Sequence, residues 1–240
     1  MELALLGGIV FIASAVGTLT GFGVSTVMIP VALLFYPLPQ TLVFVGIIHW
    51  FGNIWKLVLF KGGIRWRLIL GFGIPGIFAS YLGAKLVLEA PQALLARLLG
   101  AFIVIYVIYL FVNPHFKIKQ SNMSAVCGGA LSGFLAGIFG MGGAVRSLFL
   151  SAFNLPKSIY IATAGAIALF VDTTRLATYY SEEIRLEGLL FWGMLIFIPV
   201  SFLGARVAKH FVDRIPQKYF RVVVAVFLFL IAVKLIILPG

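Results

Sequence analysis

Charge is scarce in this chain. Only 10% of its 240 residues are charged, and acids are rarest, with 7 Asp and Glu against 18 Lys and Arg. A soluble domain carries roughly 25% charged residues, so there is too little polar surface here to cover a water-soluble globule. Cysteine is nearly absent: Cys127 stands alone, which excludes an intrachain disulfide and a paired redox motif. Histidine occurs three times, and the chain holds neither an HExxH motif nor a plausible Ser-His-Asp set. A membrane enzyme is therefore disfavoured, and no metal or cofactor is expected. A basic n-region is also lacking, since Met1-Glu2 leads straight into apolar sequence. A cleaved signal peptide is not expected on that ground.

What the chain has in abundance is apolar length. Hydrophobic residues make up 62%, Phe alone contributes 23, and mean hydropathy is +1.14. Continuous runs long enough for the roughly 20 residues of a membrane-crossing helix point to a polytopic all-α membrane protein. The runs do not alternate, which excludes a closed β-barrel. Eight apolar segments follow one another at residues 3–36, 41–60, 68–88, 94–112, 123–153, 158–180, 186–208 and 219–238. In a membrane protein, the net charge of +11 reads as lipid-facing anchoring of cytoplasmic loops and not as nucleic-acid binding.

The segments repeat. GTLTGFGVSTVMIP, starting at Gly17, has its counterpart in GFLAGIFGMGGAVRSLFL, starting at Gly133. Asn53-Ile54-Trp55-Lys56-Leu57 matches Asp172-Thr173-Thr174-Arg175-Leu176, and Gly83-Ala84-Lys85 matches Gly204-Ala205-Arg206. The chain thus divides into a first membrane repeat (1–112), a cytoplasmic linker (113–122) and a second membrane repeat (123–240). Each half has four segments and opens with a glycine-broken one, either a re-entrant hairpin or a pair of short helices. Loop charges place residues 61–67 and 206–221 inside, and 85–97 and 181–187 outside. Equivalent loops then face opposite sides, which makes the repeat inverted.

These features resemble the TauE/SafE family of sulfite exporters. The resemblance rests on the glycine clusters Gly17, Gly21, Gly23 and Gly133, Gly137, Gly140, Gly142, Gly143. The Leu38-Pro39-Gln40-Thr41 and Leu155-Pro156-Lys157-Ser158 turns and the two Gly-Ala-basic triplets also fit. It covers nearly the whole chain. It implies a multi-pass permease of a prokaryotic inner (cell) membrane that moves sulfite, sulfoacetate or another organosulfonate. A related thiosulfate-importing branch relies on several cysteines, which the single Cys127 does not supply.

The residues themselves suggest where substrate would bind. Broken helices at matching places in two halves mark a transporter's site near the midplane. Glycine permits the turn, and the half-helix beyond it points free N–H groups at an anion. Gly21, Gly23, Ser25 and Thr26 in the first half, and Gly140, Gly142 and Gly143 in the second, are candidates on that basis. Helix–helix packing by small residues is the competing role. Arg146 would sit deep in the membrane, where a cation costs at least roughly 2.5 kcal/mol and so needs a partner or a job. Lys56 and Arg175 occupy equivalent positions, and for both snorkelling to the interface is the alternative. His49 and Asn53 share a helix face with Lys56. Asp172 is the one acid far inside an apolar segment, spaced i, i+3 from Arg175. Asp172 and His49 are the candidates for proton coupling. His115 and His210 read as solvated.

The expected activity is secondary transport of a small sulfur-containing anion by alternating access, one half moving against the other. An anion channel, or a transporter of a different small organic anion, is the alternative. The expected partners are the anionic substrate and membrane lipid, with a homodimer as a candidate assembly.

Overall fold

A computed structural model of the chain describes residues 2–20, 23–112 and 118–211, together with positions 229, 233, 236 and 237. Among the described residues the chain folds as nine helices: α1 (Glu2–Thr20), α2 (Ser25–Ala32), α3 (Leu38–Leu59), α4 (Trp66–Glu89), α5 (Gln92–Val112), α6 (Asn122–Phe139), α7 (Gly143–Ser151), α8 (Lys157–Ser181) and α9 (Gly188–Phe211). Six of them, α1, α3, α4, α6, α8 and α9, are long and apolar enough to cross a membrane. The chain is a multi-pass membrane protein. The apolar segments at 41–60, 68–88, 94–112, 158–180 and 186–208 match α3, α4, α5, α8 and α9 to within a few residues. The last, at 219–238, lies almost wholly outside the described residues.

Each glycine-broken segment is a full-length helix followed by a half-length one. At 1.5 Å per residue, the 8 residues of α2 and the 9 of α7 extend about 12–14 Å, half a bilayer core. Both turn back. α6 stops at Gly140, whose φ of 68° is left-handed. The Gly140 N–H closes the end on Ala136 O at 2.9 Å, the single bond of a left-handed glycine cap, and the Met141 N–H reaches Leu135 O at 3.3 Å. Gly142 then packs on the Ser132 carbonyl and Gly128 on the Phe149 side chain, so α7 runs antiparallel to α6. In the first half the Tyr36 hydroxyl, beyond α2, donates to Glu2 Oε1 at the start of α1 at 2.5 Å. Both long segments therefore re-enter, each returning to its starting face.

Packing exchanges helices between the two halves. α6 lies parallel to α4, with Gly129, Gly133 and Gly137 against the backbone of Phe72, Gly76 and Ser80, and Gly83 against Phe134 and Gly137. α1 packs against α9, where Gly204 meets the backbone of Phe11 and Ala15. The two Gly-Ala-basic triplets thus do the same work, each seating its helix on the broken segment of the other half. Between these pairs α3 and α8 cross. Gly46 packs on Arg175 and Gly165 on Lys56, so the two corresponding helices run antiparallel.

Tracing helix directions assigns each connection to one of two faces. Glu2, Glu89, Glu182, Glu183 and Glu187 are exposed on the first, where Lys85 pairs with Glu182 at 2.6 Å. The second face presents Lys61, Arg65, Arg67, Lys119, Lys157 and Lys209, with no acid among the described residues.

Candidate functional site

The polar positions of α3 meet those of α8 at the crossing. His49, Asn53 and Lys56 recur along α3 at spacings of four and three, which puts them on one face. Asp172, Arg175 and Tyr179 do the same on α8. Asp172 is the hub. Its Oδ1 accepts from Arg175 Nε at 2.8 Å, and its Oδ2 accepts from Asn53 Nδ2 at 2.9 Å and lies 3.0 Å from His49 Nδ1. Asn53 Oδ1 in turn accepts from Lys56 Nζ at 3.0 Å. The expected i, i+3 pair of Asp172 with Arg175 is thus present, and it belongs to a wider network.

Snorkelling is not what these cations do. Lys56 is 1% exposed, Arg146 2% and Arg175 0%. Lys56 sits near the end of α3, yet its side chain folds back toward the helix N-terminus, as helical geometry favours, and ends on Asn53.

The two re-entrant turns close on this cluster. Gly23 has φ 96°, and a Cβ there would collide with His49 Nε2. Only glycine allows the imidazole so close to the start of α2. Gly140 plays the corresponding part: a Cβ there would collide with Ile29 of α2 and stand 3.1 Å from Arg175 Nη1. The N-termini of α2 and α7 both approach the crossing, and neither carries a side-chain cap. Their first-turn N–H groups carry the positive end of the helix dipole. Ser25 and Thr26 are buried in the first turn of α2. Arg146 lies in the first turn of α7 and is close enough to Lys56, Asp172 and Arg175 to feel their charge.

The donors outnumber the acceptors. Among the described residues, Lys56, Arg146 and Arg175 bring three basic side chains to the cluster and Asp172 brings its one carboxylate, so bases outnumber acids there by two. Several groups there also lack a hydrogen-bond partner of acceptable geometry: Nε and Nη2 of Arg146, Nη1 and Nη2 of Arg175, together with both ring nitrogens of His49 and Ser25 Oγ. Buried polar groups are nearly always satisfied, and a buried guanidinium with open N–H groups calls for an acceptor.

Not every candidate from the sequence joins the cluster. Gly142 packs against α6. Gly133 and Gly137 serve the α4–α6 seam. Gly21 lies outside the described residues, as does His115, while His210 is exposed at the end of α9. Trp50 and Trp55 are cross-helix fasteners, donating to Thr173 Oγ1 at 2.8 Å and Ser201 Oγ at 3.1 Å. Trp66 and Trp192 are outward-facing. Sequence reasoning missed Tyr179, which is fully buried and donates to the Gly137 carbonyl. Its position one turn beyond Arg175 was the available signal.

Comparison with known proteins agrees with this architecture. A "probable membrane transporter protein" of Methanocaldococcus jannaschii is 24% identical over 211 residues, covering 81% of this chain and 78% of that protein. The family model described as "Sulfite exporter TauE/SafE" matches residues 6–235. The chain is a membrane transporter that belongs to the sulfite exporter TauE/SafE family.

Proposed function

We propose that this transporter moves a small sulfur oxyanion, sulfite or an organosulfonate, across the inner membrane of a prokaryote by alternating access. One observation carries the reading: among the described residues a buried cluster has two more basic than acidic side chains, with open guanidinium N–H groups beside two uncapped half-helix N-termini. A pyramidal or tetrahedral SO3 group offers three acceptor oxygens. Planar guanidinium forks and backbone N–H groups suit such an acceptor. Charge balance favours a dianion over a monoanion at the same site. The antiparallel crossing of α3 and α8 supports an inverted repeat, and the basic second face supports a cytoplasmic assignment for the linker side.

Proton coupling follows from the imidazole. A carboxylate only accepts, so His49 directs the Nδ1 proton at Asp172. Neutral His49 then turns a lone pair on Nε2 toward the start of α2, which repels an anion. Protonated His49 turns an N–H there instead. Binding of a proton and binding of the anion are thereby linked, and Asp172 stabilises the imidazolium.

The test is a thermal-shift screen of purified protein against sulfite, sulfoacetate, sulfate, phosphate and carboxylates, followed by flux into liposomes. A ligand that binds only the folded state raises the melting temperature. Stabilisation by sulfite or a sulfonate that disappears in Arg146→Ala supports the reading. Stabilisation by carboxylates or cations alone overturns it.

A further inference from the structure

A second site lies apart from the transport cluster, on the basic face. There a cavity of about 750 Å³ opens between the start of α4, the start of α6 and the segment after α7. Arg65 and Arg67 form its rim with Ser121 and Asn122. Leu68, Phe153 and Leu155 line its apolar side. Arg67 Nη2 donates to Asn122 Oδ1 at 3.2 Å, which holds that guanidinium across the gap between the two helices. Lys119 and Lys157 are exposed on the same face, and the five exposed carboxylates at Glu2, Glu89, Glu182, Glu183 and Glu187 lie on the other.

We infer that this cavity binds an anionic phospholipid, with the headgroup phosphate on Arg65 and Arg67 and an acyl chain along the α4–α6 seam. The gradient from basic rim to apolar lining matches a molecule with one charged end and one hydrocarbon end. Basic pockets between helices on a cytoplasmic side are where such headgroups bind, and arginine forks suit phosphate oxygens. Val126 lines the cavity and is itself exposed, and Leu70, Ile74 and Met123 are exposed on the same two helices. The glycine seam holds α4 and α6 close together beside the cavity, with Gly71 only 3.3 Å, measured from where its Cβ would stand, from the Ala125 methyl. Trp66 is 63% exposed beside the rim, placed as an interfacial anchor. A free anion would use the rim alone and would leave the apolar lining wet.

The experiment compares melting temperatures of the full chain in neutral detergent supplemented with phosphatidylglycerol, with phosphatidylcholine, or with inorganic phosphate. At about ten times its dissociation constant, a lipid selective for the folded state raises the midpoint by about 3–6 °C. The expected result is such a rise with phosphatidylglycerol only. It is lost in Arg65→Gln/Arg67→Gln and retained in Lys209→Gln, which removes a charge from the same face away from the cavity. The single variants Arg65→Gln and Arg67→Gln each lose part of the rise, and serve where the double variant does not fold. An equal rise in the double variant, or the same rise with phosphatidylcholine, overturns the assignment. A rise with inorganic phosphate alone overturns the lipid and leaves a free-anion site.

Discussion

Removing the charge of Asp172 should destabilise the protein more than its size suggests. Asp172→Asn preserves the shape of the side chain and deletes the one carboxylate among Lys56, Arg146 and Arg175. Two hydrogen bonds, from Arg175 at 2.8 Å and Asn53 at 2.9 Å, and the His49 contact at 3.0 Å now converge on an amide that can accept at one oxygen only. Breaking a buried pair by removing one partner costs about 3–5 kcal/mol. In a chain of this length each kcal/mol moves the midpoint by about 2–4 °C, so the variant should melt about 6–20 °C below wild type. The assay is thermal unfolding in detergent without added anion. Glu182→Gln is the comparison. It breaks the Lys85 pair on the first face, whose side chains are 43% and 36% exposed, and should shift the midpoint little because water screens it. Asp172→Asn/Arg175→Gln should be less unstable than the two single losses added together, since contacting charges couple. If Asp172→Asn melts within about 2 °C of wild type, the carboxylate is not the counter-charge of the cluster and the charge surplus has been miscounted.

Other outcomes follow from close contacts. Gly137→Ala puts a methyl into the Ser80 carbonyl across the α4–α6 seam and should cost about 1–3 kcal/mol by overpacking; Gly73→Ala, with nothing within 4 Å of its Cβ, should be close to neutral, and parallel melts check both. Gly23→Ala should abolish anion flux in liposomes, because the methyl displaces His49 and the backbone is left-handed there. His49→Gln should leave anion binding measurable by thermal shift but remove its dependence on pH, which wild type should show as tighter binding in acid. Trp50→Phe loses the bond to Thr173 Oγ1 and should cost about 0.5–1.5 kcal/mol, read as a lower melting temperature with flux retained.

The helices were legible because each span carries its own signal: apolar length, a proline at the start of α3 and α8, and glycine at the stop of α6. The pairing of Asp172 with Arg175 was legible for the same local reason, a fixed spacing on one helix. The hub at Asp172 was not. Asn53 Nδ2 reaches it from 119 positions away, and no local pattern encodes which helix faces which. The glycine clusters show the limit most sharply. Gly133, Gly137, Gly140 and Gly142 look alike in sequence. Gly133 and Gly137 hold α4, Gly140 turns the chain, and Gly142 holds α6. Neighbours in space, not spacing in the chain, separate these roles. Snorkelling stood as the alternative role for Lys56 because its distance from the end of α3 was visible and its partner Asn53's tie to α8 was not.

The exchange of helices between halves bears on how the chain is made. A ribosome delivers residues in order at about 5–20 per second. α1 enters the bilayer well before its partner α9 exists, and α3 arrives with His49, Asn53 and Lys56 facing lipid or water until Asp172 emerges 119 residues later. That interval is about 6–24 seconds. During it, Lys56 has no carboxylate to face, and a lone cation in hydrocarbon costs at least about 2.5 kcal/mol. The nascent first half must therefore be sheltered by the insertion machinery or hold α3 near the interface, and final docking waits for the second half. A chain cut after the linker should be degraded when made alone and rescued when the missing half is supplied as a separate polypeptide.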